Sequence, residues 1–60
     1  MNKEKVIINK VKVGEVVEAN GQYIEVIRSI PKDDDYWMLD FKGGSFIDRK
    51  ESEIMKIQCV

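Results

Sequence analysis

VGEVVEANGQYIEVIRSI, residues 13–30, decides the fold. Asn20-Gly21 stands between two runs rich in β-branched residues. Such a pair is the strongest short-range signal for a two-residue hairpin, because a type I′ turn needs positive φ at both central positions. Residues 15–19 and 22–30 are then the two arms. In the second arm Ile24, Val26 and Ile30 share one face at period two. Arg28 falls in the same register, so either it lies at a rim or a bulge shifts the phase, and Ile27 beside it favours the bulge. A bulge there would bend and coil the long strand.

Downstream, Pro31 stops the arm, since proline cannot donate to a ladder. Lys32-Asp33-Asp34-Asp35 is a polar loop. Residues 36–42, YWMLDFK, form the next strand, with Trp37, Leu39 and Phe41 on one face and Tyr36, Met38, Asp40 and Lys42 on the other. The first face carries the larger apolar area and is the expected core. Gly43-Gly44 is a second tight turn, residues 45–49 the return strand, and residues 50–53 one turn of 3₁₀ helix. Residues 54–60 make the last strand. Upstream, residues 1–5 are polar and expected to be frayed. Val6-Ile7-Ile8 is a first strand, or a segment pairing with the C-terminal one. Val11 and Val13 alternate with Lys10 and Lys12, and Gly14 reads as a turn or bulge into the hairpin.

Short strands with turn signals about every 8–12 residues indicate an all-β barrel or sandwich. V-x-V-G-E-V-V at 11–17, then Asn20-Gly21, Tyr23, Val26, a Gly-Gly hairpin and a short polar turn before the last strand together resemble an SH3-like small barrel. The opening V-x-V-G-E-V is similar to those of KOW and translation-protein barrels. The resemblance covers most of the chain as a strand pattern. It implies a single domain over residues 1–60, a five-stranded barrel with one 3₁₀ turn before the last strand. The basic loops of ribosomal members are missing, and so is the ALYDY-like run of signalling SH3 domains. Neither family's binding residues carry over.

Composition narrows the function classes. Sixty residues, 43% of them hydrophobic, suffice for one small core and leave little for an enclosed cavity. Ten basic and eleven acidic residues give a net charge of −1, which argues against strong nonspecific nucleic-acid binding. The single cysteine, Cys59, excludes an intrachain disulfide and suits a reducing compartment. No apolar run is long enough for a membrane span or a signal peptide. A cytoplasmic location is expected, and the Lys-, Ile- and Asn-leaning composition suggests a bacterial or phage accessory protein.

Catalysis is not expected. The chain has no histidine, Cys59 has no base partner in view, and Ser29, Ser45 and Ser52 stand in no nucleophile-elbow context. Asp33-Asp34-Asp35 lacks the spaced ligands, central glycine and distal glutamate of a calcium loop, so a solvated Asx-type loop is the better reading. Neither metal nor cofactor is expected. Tyr36 and Met38, pointing outward beside Asp34, Asp35 and Asp40, form the candidate protein-binding patch. The acidic neighbours disfavour a phosphate backbone there. An alternative reading is a KOW-like RNA- or DNA-binding surface built from Lys5, Lys10, Lys12, Arg28 and Arg49. The expectation is a non-enzymatic interaction module for a protein partner. A monomer follows if the terminal segments pair within one chain and a dimer if they pair between chains, with the monomer slightly favoured because SH3-like barrels close on themselves.

Overall fold

The computed structural model describes residues 2–58, so Cys59 and the last residue of the final strand lie outside the described residues. The hairpin forms as the sequence predicts. β2 (Val16–Ala19) and β3 (Gln22–Glu25) pair antiparallel with Ala19 opposite Gln22. Both turn residues have positive φ, 51° at Asn20 and 77° at Gly21, which asparagine and glycine bear with least strain. Gly14, at φ 93°, sits in the turn that leads in. Its N–H donates to the Val26 carbonyl at 2.8 Å, and the Glu15 N–H donates to the Lys12 carbonyl at 3.1 Å.

Past Glu25 the long second arm divides. The Val26 N–H still donates to Glu15 of the hairpin at 2.9 Å, but the next amide, Ile27, donates to the Asp40 carbonyl at 2.8 Å. That bond leads into β4 (Arg28–Pro31) and its partner β5 (Tyr36–Phe41). Two consecutive amides therefore bond to different sheets, and the chain bends between them. The side-chain phase slips by one residue here. Val26 is buried, Ile27 is 57% exposed, and Ser29 rather than Arg28 turns inward. This corrects one expectation: Ile30 leaves the face of Ile24 and Val26 and stands opposite Met38 on the far side of its sheet.

β6 (Gly44–Arg49) follows β5 through Lys42 and Gly43, so the turn lies one residue earlier than Gly43-Gly44, with Gly43 at φ 106°. β7 (Glu53–Gln58) pairs with β2 on one side and with β1 (Asn2–Ile7) on the other. Two antiparallel sheets result, ordered β1-β7-β2-β3 and β4-β5-β6. The five-stranded closed barrel gives way to seven strands in two sheets. The bend breaks one expected strand into two, and the N-terminal segment adds a strand outside β7. Residues 2–5, expected to be frayed, are part of that added strand.

The 3₁₀ turn is displaced as well. In place of a 3₁₀ helix over residues 50–53 there is a single hydrogen-bonded turn, the Ser52 N–H donating to the Arg49 carbonyl at 2.9 Å, and Glu53 already belongs to β7. The 3₁₀ helix is Ile8–Lys10, which removes Ile8 from the expected first strand and buries it completely. The Ile8 N–H donates to the Ser52 carbonyl at 2.8 Å, so the two turns brace each other.

Ile8, Val11, Val17, Ala19, Ile24, Val26, Leu39 and Ile54 form the core, with Val6, Trp37, Phe41 and Phe46 half-buried against it. Every fully buried side chain is aliphatic, each contributing about 1.5–3 kcal/mol by removal from water. The inward face of β5 is the one the alternation predicts. Its aromatic members cover the edges of the core, while Leu39 fills the centre.

Candidate functional site

Directly opposed residues of an antiparallel pair project from the same face. The register of β4, β5 and β6 therefore builds the outer face of the smaller sheet as three rows. Ile30, Met38 and Ile47 form the middle row. Arg28, Asp40 and Ser45 form the row toward one end of β5, and Tyr36 with Arg49 the row at the other.

The polar row is tightly bonded. Arg28 Nε donates to Asp40 Oδ2 at 2.6 Å, and Ser45 Oγ donates to Asp40 Oδ1 at 2.6 Å. The Ser45 hydroxyl, and then the Arg28 guanidinium, hold the Asp40 carboxyl below the usual carboxylate range. At the other end the Arg49 guanidinium lies over the Tyr36 ring, 5.6 Å from its centroid, in a cation–π arrangement. Between these rows the apolar residues remain accessible: Ile30 and Met38 are half-buried and Ile47 is exposed.

The acidic loop belongs to the Tyr36 end. Asp33 Oδ1 accepts the N–H groups of Asp35 (2.8 Å) and Tyr36 (2.9 Å), the Asx-type closure expected of this loop. Those two backbone bonds lower the Asp33 pKa. The Lys50 N–H donates to the Asp35 carbonyl at 3.0 Å and ties the loop to the turn after β6. Of the patch residues named from sequence, Tyr36, Met38 and Asp40 thus share one face, and exposed Asp34 and Asp35 lie in the loop at its Tyr36 end. Asp40 stands at the opposite end. Sequence reading omitted Ile30, Ile47 and Ser45 from this face and assigned Arg28 and Arg49 to another role. Ile47 was accessible to alternation along β6, whereas Ile30 required the bend to be located.

The five basic residues of the nucleic-acid alternative are spread over the molecule. Lys5 is on β1, with Nζ 4.0 Å from a Glu53 carboxylate oxygen. Lys10 ends the 3₁₀ helix and Lys12 follows it. Arg28 and Arg49 lie at opposite ends of the outer face of the smaller sheet, the first paired with Asp40.

Ser29 proves to be a structural serine. Its Oγ donates to the Val11 carbonyl at 2.6 Å and accepts the Trp37 indole N–H at 2.9 Å, in a partly buried setting. Ion pairs also tie the larger sheet, Lys56 of β7 with Glu15 at 2.7 Å and Lys3 of β1 with Glu18 of β2 at 3.3 Å. An open groove of about 400 Å³ lies where Phe46 of β6 approaches Ala19, Ile54 and Met55, with Lys5 and Glu53 among its lining. Among the described residues no group of three or more acidic or cysteine side chains is placed to hold a metal ion, and no helix is long and apolar enough to cross a membrane. No protein-family profile, curated protein or solved structure matches the chain.

Proposed function

We propose that this chain is a non-enzymatic interaction module of SH3-like type, a bacterial or phage accessory protein that docks a protein partner through the outer face of its three-stranded sheet. One observation carries the proposal. The row Ile30–Met38–Ile47 and the exposed Tyr36 lie together on a solvent-facing sheet surface, between bonded polar groups at one end and Arg49 at the other. An apolar centre with a polar rim and a Tyr–Arg pair has the composition of protein-docking surfaces. The connectivity supports the SH3-like assignment: a tight hairpin, a bent strand serving both sheets, a second hairpin, and a last strand returning beside the first arm. β1 is an addition outside that set.

The test is capture from cells of the source organism with immobilised protein. Tyr36→Ala should abolish capture of the specific partner while the melt stays within about 1 kcal/mol of wild type, as for a surface substitution. Capture at wild-type level by a folded Tyr36→Ala variant would refute the assignment of this face. Steeply salt-dependent binding to single- or double-stranded nucleic acid in an anisotropy titration would instead favour the KOW-like reading.

A further inference from the structure

Four strands border the two sheets: β1, β3, β4 and β6. An unpaired edge invites another strand, and sequences usually blunt it with lysine, proline, a bend or brevity. Three of the four are blunted in this way. β1 carries Lys3 and Lys5. β3 has four residues and runs directly into the bend at Val26 and Ile27. β4 also has four and ends in Pro31, which has no N–H to offer. β6 lacks lysine, proline, a bend and brevity; its charges are Arg49 at its end and Asp48, whose Oδ1 accepts the Arg49 N–H at 2.8 Å. The strand is six residues long, GSFIDR, pairs with β5 in unbroken register, and carries Ile47 41% exposed on its outer face.

We propose that β6 pairs antiparallel with β6 of a second copy of the chain, about a two-fold axis that sets Ile47 opposite Ile47. Two features of the edge are complementary to themselves in that register. First, the row Ile30–Met38–Ile47 runs across the sheet to this edge and continues into its symmetry mate, giving an unbroken apolar row across six strands.

Second, Arg49 of the second copy falls opposite Ser45, whose hydroxyl is bonded to Asp40. With strands about 4.8 Å apart, that arginine stands about 10 Å from Asp40 along the sheet, within the span of its side chain. Arg49 has no carboxylate within ion-pairing distance among the described residues, and its guanidinium, which lies over the Tyr36 ring, would exchange that contact for Asp40 of the second copy. Asp40 uses one acceptor site on each oxygen for Arg28 and Ser45 and keeps capacity for another donor. The two-fold axis makes this contact twice.

The terminal segments are not the route to this dimer, because β1 already pairs with β7 within the chain. A single strand pair is a small contact, below the ~1,200 Å² at which stable interfaces begin. The dimer therefore forms and dissociates with concentration.

Sedimentation of the purified chain tests this without any other partner, so its outcome is independent of the docking reading. From micromolar concentrations to about 1 mM, the weight-average mass should climb from 7.0 kDa toward twice that value. Ile47→Lys, which places a lysine at the centre of this edge, should hold the mass at 7.0 kDa throughout. Arg49→Glu, at an exposed strand end, should do the same if Ile47→Lys fails to fold. Isotope-filtered NOEs between labelled and unlabelled chains should link Ile47 methyl groups across the axis. A wild-type mass fixed at 7.0 kDa over the whole range would overturn the proposal. So would a dimer that both folded variants retain.

Discussion

Removing the Ser29 hydroxyl tests how the segment after the 3₁₀ helix is fastened to the smaller sheet. Ser29→Ala deletes two hydrogen bonds at once, to the Val11 carbonyl at 2.6 Å and from the Trp37 indole N–H at 2.9 Å. Each such bond contributes about 0.5–1.5 kcal/mol net, and a buried group left without a partner costs about 1–3 kcal/mol. Both sites are only partly buried, so water relieves some of that penalty, and the expected loss is about 2 kcal/mol. Domains hold roughly 0.05–0.15 kcal/mol per residue, or about 3–9 kcal/mol for a chain of this length. The loss should lower Tm by about 8–16 °C. Trp37 is the sole tryptophan, so its emission reports the site directly. A double-mutant cycle with Trp37→Phe, read by urea melts in far-UV circular dichroism, isolates the indole–hydroxyl bond. Coupling of at least about 0.5 kcal/mol is expected. A Ser29→Ala melt indistinguishable from wild type, with zero coupling in the cycle, would show that the bridge contributes nothing.

Two further predictions concern the hairpin and its margin. Gly21→Val should destabilise by at least about 1–2 kcal/mol, because a β-branched residue is strained at φ 77° whatever space surrounds it, and nothing lies near the position; an unchanged thermal melt would contradict the turn geometry. The Lys56 ammonium, and then the Lys12 N–H, hold the Glu15 pKa below its usual 4.5, while Glu15 holds Lys56 above 10.5. The pair therefore stabilises fully between those two ordinary values. It is lost as pH falls through the lowered Glu15 pKa or rises through the raised Lys56 pKa. Melting temperature against pH for wild type and Glu15→Gln should show two curves separated at neutral pH that converge in acid, and a constant separation down to pH ~2 would refute the assignment.

The hairpin was legible because Asn-Gly leaves one low-strain solution, and the β5 alternation because Trp37, Leu39 and Phe41 have the only large apolar face available. The acidic loop was legible in the chemistry of Asp33. The bend was legible only as a choice. Ile27 beside Arg28 signalled a phase shift, but the sequence does not say that Ile27 leaves one sheet for the other, because the acceptor that draws its amide, the Asp40 carbonyl, lies 13 residues away in the chain. Ile57 was assigned no burial from the sequence. It is buried although it stands opposite Lys3 and Val16, on the side of the larger sheet that Lys3, Glu18 and Tyr23 share. Periodicity alone cannot anticipate burial under the stems of long surface side chains. The 3₁₀ helix was misplaced because Ile8 is β-branched and reads as strand, while its burial and its bond to Ser52 are tertiary.

Asp40 joins these two halves of the problem. Its carbonyl accepts the Ile27 N–H on the inner course of the bend, and its carboxylate accepts Arg28 Nε from the residue that follows. One residue of β5 therefore grips both sides of the point at which the chain changes sheets. If the phase did not slip there, Arg28 would face the core and Ser29 would face water. The charge would then be buried without a partner, and the Trp37 indole would lose its acceptor. With the slip, Ser29 turns in to serve Trp37 and Val11, and Arg28 and Ile30 turn out to join Asp40 and Met38. The same local shift that completes the core also assembles the apolar row and its polar border on the outer face. The proposed docking surface is thus a product of the bend, and a change that straightened the chain at Ile27 would remove it together with the fold.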